Sequence, residues 1–226
     1  MTSPVTGGDT ETKHNEMLDG KNLMTQITKL AVLLAGLTTV AMQAQERLSP
    51  EEALRYADLV GSVQTQLRTT PATTALDFKQ PVAVRDGDYG LMVVPAAKLS
   101  GETLAKAGSE VVPVGQLWLL KLAPLVDERV VGDEKLQMVK VSGSEGSATV
   151  PCCHLGIRHA AGGALELLVF GKDKEPILKT PLSSSTSRQG RPLDLEVERE
   201  SDRGRVTLKL AGQYAASFSV TDPELF

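Results

Sequence analysis

The chain has 226 residues, with 24 Lys and Arg against 28 Asp and Glu and a formal net charge of −4. A chain of this length buries well over half of its unfolded surface, so it needs no disulfide or structural metal to sustain a core. The mildly acidic balance, with no basic stripe to neutralise phosphates, excludes nucleic acid as an expected partner.

Residues 1–23 carry Gly7, Gly8, Thr10, Glu11 and Asn15 and almost no apolar side chains, a composition expected to be disordered. Lys21 and Lys29 then precede the apolar run Leu30–Met42 (LAVLLAGLTTVAM), and Gln43-Ala44-Gln45 follows it. A charged entry, a short apolar stretch and small residues after it are the three parts of a secretory signal peptide. The run is shorter than the roughly 20 apolar residues that span a bilayer. It therefore reads as an address and not an anchor, with no stable membrane insertion after cleavage. The expected cut follows Ala44, leaving the polar Gln45-Glu46-Arg47 to open the mature chain; a cut after Ala41 is the alternative. Removal of residues 1–44 takes away His14, Lys13, Lys21, Lys29 and four carboxylates, which leaves the net charge near −3. The expected location is exported, periplasmic or secreted.

Residues 45–74 read as a helix and a linker. Ser49 can cap, Pro50 suits the first helical position, and Glu52 stands where a capping-box carboxylate reaches back to the Ser49 amide. Ala53, Tyr56, Val60, Val63 and Leu67 recur at spacings of three and four, which predicts an amphipathic helix over 50–68. Its apolar face is expected to lie on the domain or to meet a protein partner. Thr69–Thr74, with Pro71 inside, reads as linker.

Residues 75–226 are expected to form the β domain, and from Pro81 onward the dominant period becomes two. Leu193, Leu195 and Val197 alternate with acidic residues; Val206, Leu208 and Leu210 alternate with Thr207 and Lys209; Ala216, Phe218 and Val220 follow the same rule. Strands of this kind bury one face and wet the other. Turn signals at Asp86-Gly87, Gly143–Gly146, Ala160–Gly163, Lys172–Lys174 and Ser201–Gly204 separate nine or ten strands. Ser100–Ala107, capped by Ser100, is one short internal helix. The fold class is therefore mainly β: an antiparallel β-sandwich, immunoglobulin-like or jelly-roll-like, with an N-terminal amphipathic helix and one short internal helix. Val111–Leu122 departs from simple alternation. Val112, Val114, Trp118, Leu120 and Leu122 share one parity and Val111, Leu117 and Leu119 the other, which predicts a central strand covered by the sandwich core on one face and by helix 50–68 on the other.

Cys152, Cys153, His154 and His159 form the one cluster with metal-ligand chemistry, since thiolate and imidazole suit zinc or copper. On a strand Cys152 and His154 share one face while Cys153 and His159 share the opposite face, so the metal candidates reduce to Cys152 and His154 unless a bulge at Gly156 intervenes. Adjacent cysteines are too close to bridge, as their Cα atoms lie about 3.8 Å apart. Cys153, Leu155 and Ile157 form the expected buried set, which makes Cys152 the more reactive thiol. No G-x-S-x-G elbow or H-E-x-x-H pattern organises a hydrolytic site. Asp86-Gly87-Asp88 lacks the further ligands of a calcium loop. Asp194, Glu196, Glu198 and Glu200 form an acidic stripe on one strand face, either solvated or met by a cation or basic partner. Aromatics are only 4 % of the chain, too few for a sugar-stacking platform; Tyr89 and Phe226 are the exposed candidates.

No catalytic residue and no cofactor is expected. The functional reading is an exported, non-enzymatic binding or assembly module, acting through helix 50–68 or a sheet face. A carbohydrate-active or hydrolytic domain, and a metal or redox protein using Cys152 and His154, are the alternatives.

Overall fold

The alternating segments become antiparallel strands in two packed sheets. The protein is described here by a computed structural model over residues 45–144, 146–186 and 190–225. The leader, the run Leu30–Met42 and the expected cleavage points lie outside these residues. Sheet one comprises β1 (Glu46–Arg47), β2 (Val82–Asp86), β3 (Tyr89–Pro95), β4 (Val112–Leu120), β7 (Gln137–Gly143), β8 (Gly146–His159), β9 (Leu165–Phe170) and β10 (Pro176–Pro181). Its order is β1-β2-β3-β4-β8-β9-β10, and β7 pairs with the first half of β8. Sheet two comprises β5 (Ala123–Val126), β6 (Arg129–Val130), β11 (Ser183–Ser184), β12 (Leu193–Glu200), β13 (Arg203–Leu210) and β14 (Tyr214–Thr221), in the order β12-β13-β14-β5-β6 with β11 on β14. The chain leaves sheet one for sheet two just after β4, where Lys121 takes a φ of 54°.

The two sheets bury one continuous core. Val82, Leu91, Val93, Leu117, Leu119, Cys153, Leu155, Ile157, Leu167 and Val169 of sheet one meet Leu193, Leu195, Val206, Leu208, Leu210, Phe218 and Val220 of sheet two. The expected sandwich is thus formed. Turn signals fall where the sequence places them: Asp86 pairs with Tyr89, Gly143 with Gly146, and Glu200 with Arg203 across tight hairpins.

Sheet one is also apolar on its outer face. Ala83, Met92, Val94, Trp118, Val139, Val150 and Cys152 lie there beneath Ala53, Ala57 and Val60 of α1 (Pro50–Gly61). The double cover expected for Val111–Leu122 is present, but its parity is not the expected one. Val114 belongs to the inter-sheet core, as do Leu117 and Leu119, whereas Trp118 faces the helix. A β-bulge between Pro113 and Gly115 inserts the extra residue that changes the phase. Gly115 is required there: its φ is 152°, and an added Cβ would sit 2.3 Å from the Val94 carbonyl oxygen.

The helix begins as expected. Ser49 accepts from the Glu52 amide, and the Ser49 amide donates to Glu52 Oε2 at 3.0 Å, closing the capping box. It ends earlier than residue 68, at Gly61. The buried stripe is Ala53, Ala57 and Val60, while Tyr56 is 44 % exposed and lies outside the expected apolar face. The alanines let the helix axis approach the sheet, and Tyr56 falls on its flank. After Gly61 the chain becomes a strap: a 3₁₀ turn at Gln64–Gln66, then Thr69–Thr74. The strap is not loose. Thr70 is buried, and Ala72 packs on Leu168 and Phe170. Gly156 makes room for it, since a Cβ there would meet Val111 at 2.5 Å and Ala72 at 3.2 Å. The short helix α2 (Gly101–Ala105) is capped by Ser100, with Thr103 completing the box.

Two stability outcomes follow from these contacts. Gly156→Val should lower unfolding stability by about 2 kcal/mol through overpacking against Val111 and the strap, as read from the urea midpoint. Ser49→Ala should cost about 1 kcal/mol by uncapping α1; an unchanged midpoint in either variant would contradict the packing described.

Candidate functional site

Strand β8 carries both metal candidates, and its register decides their surroundings. Cys152 pairs across to Trp118 and Gln137, and His154 to Gln116 and Phe170. Cys152 and His154 do share the outer face of sheet one, as alternation predicts. Both are closed off from solvent, at 0 % and 2 % exposure. The Cys152 thiol is therefore not the reactive group expected: burial, with a smaller effect of Cys153 beside it, pushes its pKa well up. Burial likewise pushes the Cys153 thiol up to about 12. His159 lies apart, exposed, with Nδ1 2.7 Å from the Gly163 carbonyl oxygen.

His154 is held by amides. Gln116 Nε2 lies 3.1 Å from His154 Nε2, and Gln137 Nε2 lies 3.0 Å from His154 Nδ1. Each glutamine is fixed by a second set of partners. Gln116 Oε1 accepts from Trp118 Nε1 at 3.2 Å and from Gln64 Nε2 at 3.1 Å, and its own Nε2 donates to Gln64 Oε1 at 2.9 Å. Gln64 Nε2 also donates to the Val60 carbonyl at 3.0 Å. Gln137 Oε1 accepts from the Arg68 amide at 2.7 Å, and its Nε2 donates to the Gly171 carbonyl at 3.1 Å. Both ring nitrogens of His154 face an amide NH₂ group, so the neutral ring accepts from one of them, and burial holds its pKa down to about 4. Among the described residues no group of three or more His, Cys, Asp or Glu side chains is placed to hold a metal ion. A neutral ring and two thiols, enclosed by amides and apolar side chains, form a structural polar layer.

Sequence reading missed this layer because Gln64, Gln116 and Gln137 are far apart along the chain. A signal was present. Gln116 interrupts a strand that is otherwise apolar on both faces, and a buried amide needs partners.

A different set of residues opens to solvent. At one end of the sandwich the β2–β3 hairpin faces the β12–β13 hairpin and the chain after β14. An inner cavity of about 90 Å³ has Val84, Leu91, Leu122, Val197 and Val220 among its lining. It shares Asp86, Tyr89, Arg199 and Asp222 with an outer cavity of about 420 Å³, which also has Asp88, Lys121 and Glu224 at its wall. The polar groups of this mouth hold one another. Tyr89 Oη donates to Asp222 Oδ2 at 2.7 Å, Arg199 Nη1 lies 3.3 Å from Asp86 Oδ2, and Lys121 Nζ lies 3.0 Å from Asp88 Oδ2. The hydrogen bond from Tyr89 holds the Asp222 carboxyl below its ordinary value, and the same bond raises the Tyr89 phenol above 10.0. Of this cleft the sequence marked Asp86-Gly87-Asp88 as a turn and Tyr89 as an exposed aromatic; Asp222, over a hundred residues away, was not legible.

Three of the four carboxylates of the β12 stripe are paired. Glu196 pairs with Lys209, Glu200 with Arg205 at 2.7 Å, and Asp194 with Arg47. That arrangement favours a solvated, self-neutralised face over a surface awaiting a basic partner.

No family model, curated protein or solved structure matches this chain.

Two measurements check the site. Asp222→Asn should lower the Tyr89 ionisation toward the ordinary phenol value, read at 295 nm as the difference from Tyr89→Phe; an unmoved titration would break the assigned pair. At pH 8 neither thiol of the folded protein should react with a thiol reagent within the time that labels both in guanidinium chloride. Fast native labelling of Cys152 would contradict its burial.

Proposed function

We propose that this protein is an exported, non-enzymatic binding module, periplasmic or secreted, whose binding surface is the Tyr89–Asp222 cleft. The observation that carries the reading is the joining of an apolar floor between the sheets to a mouth of converging polar side chains. Ligand sites are built in this way, with apolar walls for contact and a few polar groups for orientation. The mouth holds carboxylates, a phenol, a guanidinium and an ammonium; Ser201 lies in the lining with no histidine among the lining residues. The apolar stripe of α1 is laid on sheet one, so the cleft supports a binding role better than the helix does. Among the described residues no helix is long and apolar enough to cross a membrane. Export itself rests on the tripartite pattern before Gln45.

The two halves of this reading have separate tests. Alkaline phosphatase joined to the C-terminus of the full chain should be active, and Leu33→Arg with Leu34→Arg should abolish that activity while the fusion accumulates unprocessed. N-terminal sequencing should return Gln45. Equal activity in the double variant would remove the export reading. For the cleft, native mass spectrometry of protein taken from the exported fraction should show a bound species that Val220→Trp, which fills the floor, reduces at least tenfold. Equal occupancy in that variant would place binding elsewhere.

A further inference from the structure

The polar layer on the outer face of sheet one links a titratable ring to a segment that covers the sheet. Gln137 and Gln116 each touch His154 with one side and the strap with the other: Gln137 meets the Arg68 backbone, and Gln116 meets Gln64. We propose that His154 is an acid-sensitive lock, such that protonation of its ring releases the strap, residues 62–72, from sheet one while the inter-sheet core stays closed.

The geometry gives the reason. Both ring nitrogens face the NH₂ group of an amide, and each amide is oriented by other bonds. Gln137 Oε1 is committed to the Arg68 N–H and Gln116 Oε1 to the Trp118 indole N–H. A neutral imidazole carries one N–H and one lone pair, so it accepts from one of these amides. The N–H of the neutral ring already lies against the other amide NH₂; an imidazolium has two N–H groups and accepts from neither, so protonation removes the one accepted bond and places donor against donor on both sides. Relief requires an amide to turn over and offer its oxygen to the ring. When Gln137 turns, its NH₂ group meets the Arg68 N–H, and the 2.7 Å bond that ties the strap to Gln137 Oε1 is lost. When Gln116 turns, it loses the Trp118 indole and the matched bonds to Gln64. Either relaxation acts on the strap, whereas the inward residues Cys153, Leu155 and Ile157 take no part.

Among the described residues no carboxylate is bonded to the ring to favour its charge. The side chains that meet it from β4 and β7 are Gln116 and Gln137, neither of them titratable, and its cross-strand neighbour on β9 is Phe170. On β8 its neighbours are the Cys152 and Cys153 thiols, which burial keeps protonated. From the strap come the Gln64 amide and the Arg68 backbone, and the Arg68 residue itself is exposed. The sign of the effect follows. The ring binds its proton more weakly when covered, at about 4, than its ordinary 6.5 when released. The lock therefore holds above about pH 6.5 and weakens as pH falls toward 4. Between pH 7 and pH 4.5 these values raise the released population about 60-fold.

The adjacent cysteines report the two layers separately, because Cys152 lies beneath α1 and the strap while Cys153 lies between the sheets. The full mature chain is treated with 4,4′-dithiodipyridine at pH 7 and pH 4.5. Each site is read by peptide mass spectrometry against the denatured chain at the same pH. Cys152 labelling should accelerate at least tenfold at pH 4.5, with Cys153 still protected, and His154→Gln should remove the acceleration. Parallel labelling of both cysteines, or a protected Cys152 at pH 4.5, would overturn the proposal. So would acceleration that persists in His154→Gln. Should that variant not fold, the wild-type ratio of Cys152 to Cys153 labelling decides. The emission of Trp118, the chain's single tryptophan, should then shift to the red at pH 4.5; a fixed emission counts against release.

Discussion

A sheet that is apolar on both faces must be covered twice, and sheet one is such a sheet. Leu117 and Leu119 point one way from β4, and Trp118 points the other. The first face is covered by sheet two. The second would expose Met92, Val94, Trp118 and Cys152 if the segment from Ser49 to Ala72 did not lie over it. The N-terminal segment is therefore part of the fold's interior economy rather than an appendage, and its small contact residues follow from that role. Ala53, Ala57 and Ala72 are short where the backbone must come close, and Gly156 has no side chain where Ala72 crosses β8.

The second cover is made of two materials. α1 uses apolar side chains, which stabilise without direction. The strap uses amides, which are directional and must be matched completely when buried. Gln116 and Gln137 reach the strap through oriented bonds, so the strap has one register on the sheet. The same dependence on matched donors and acceptors makes this layer sensitive to a single added proton. Where apolar packing tolerates small displacements, an amide network fails by whole hydrogen bonds.

Much of this was legible in the amino-acid order because it is local. Ser49-Pro50-Glu51-Glu52 states a helix start within four residues, and Asp86-Gly87 or Ser201–Gly204 states a hairpin. Alternation in Leu193–Val197 and Val206–Leu210 states which side is inward. The double cover of β4 was also readable, since apolar residues occupy both parities. The rest depends on register between distant segments. The bulge at Gly115 shifts the phase of β4 through contact with β3 and β8, and period counting within the strand cannot see it. The helix stops at Gly61 because the chain must turn to bring Gln64 to Gln116. The cleft needs Tyr89 and Asp222 to meet, which only the packing of the two sheets achieves. The inferred reactivity of Cys152 failed for a related reason: exposure is a property of the cover, and the cover comes from another part of the chain.

The matched charges on the β12–β13 face have a consequence for how the molecule meets others. Glu196 with Lys209, and Glu200 with Arg205, place opposite signs side by side along the strands. Fields from such alternating pairs cancel over a few ångströms, and at physiological salt the remainder is screened within about 8 Å. These pairs are nearly silent at a distance. At these pairs an approaching molecule is neither drawn in nor turned away by electrostatics, so association there is left to shape at contact.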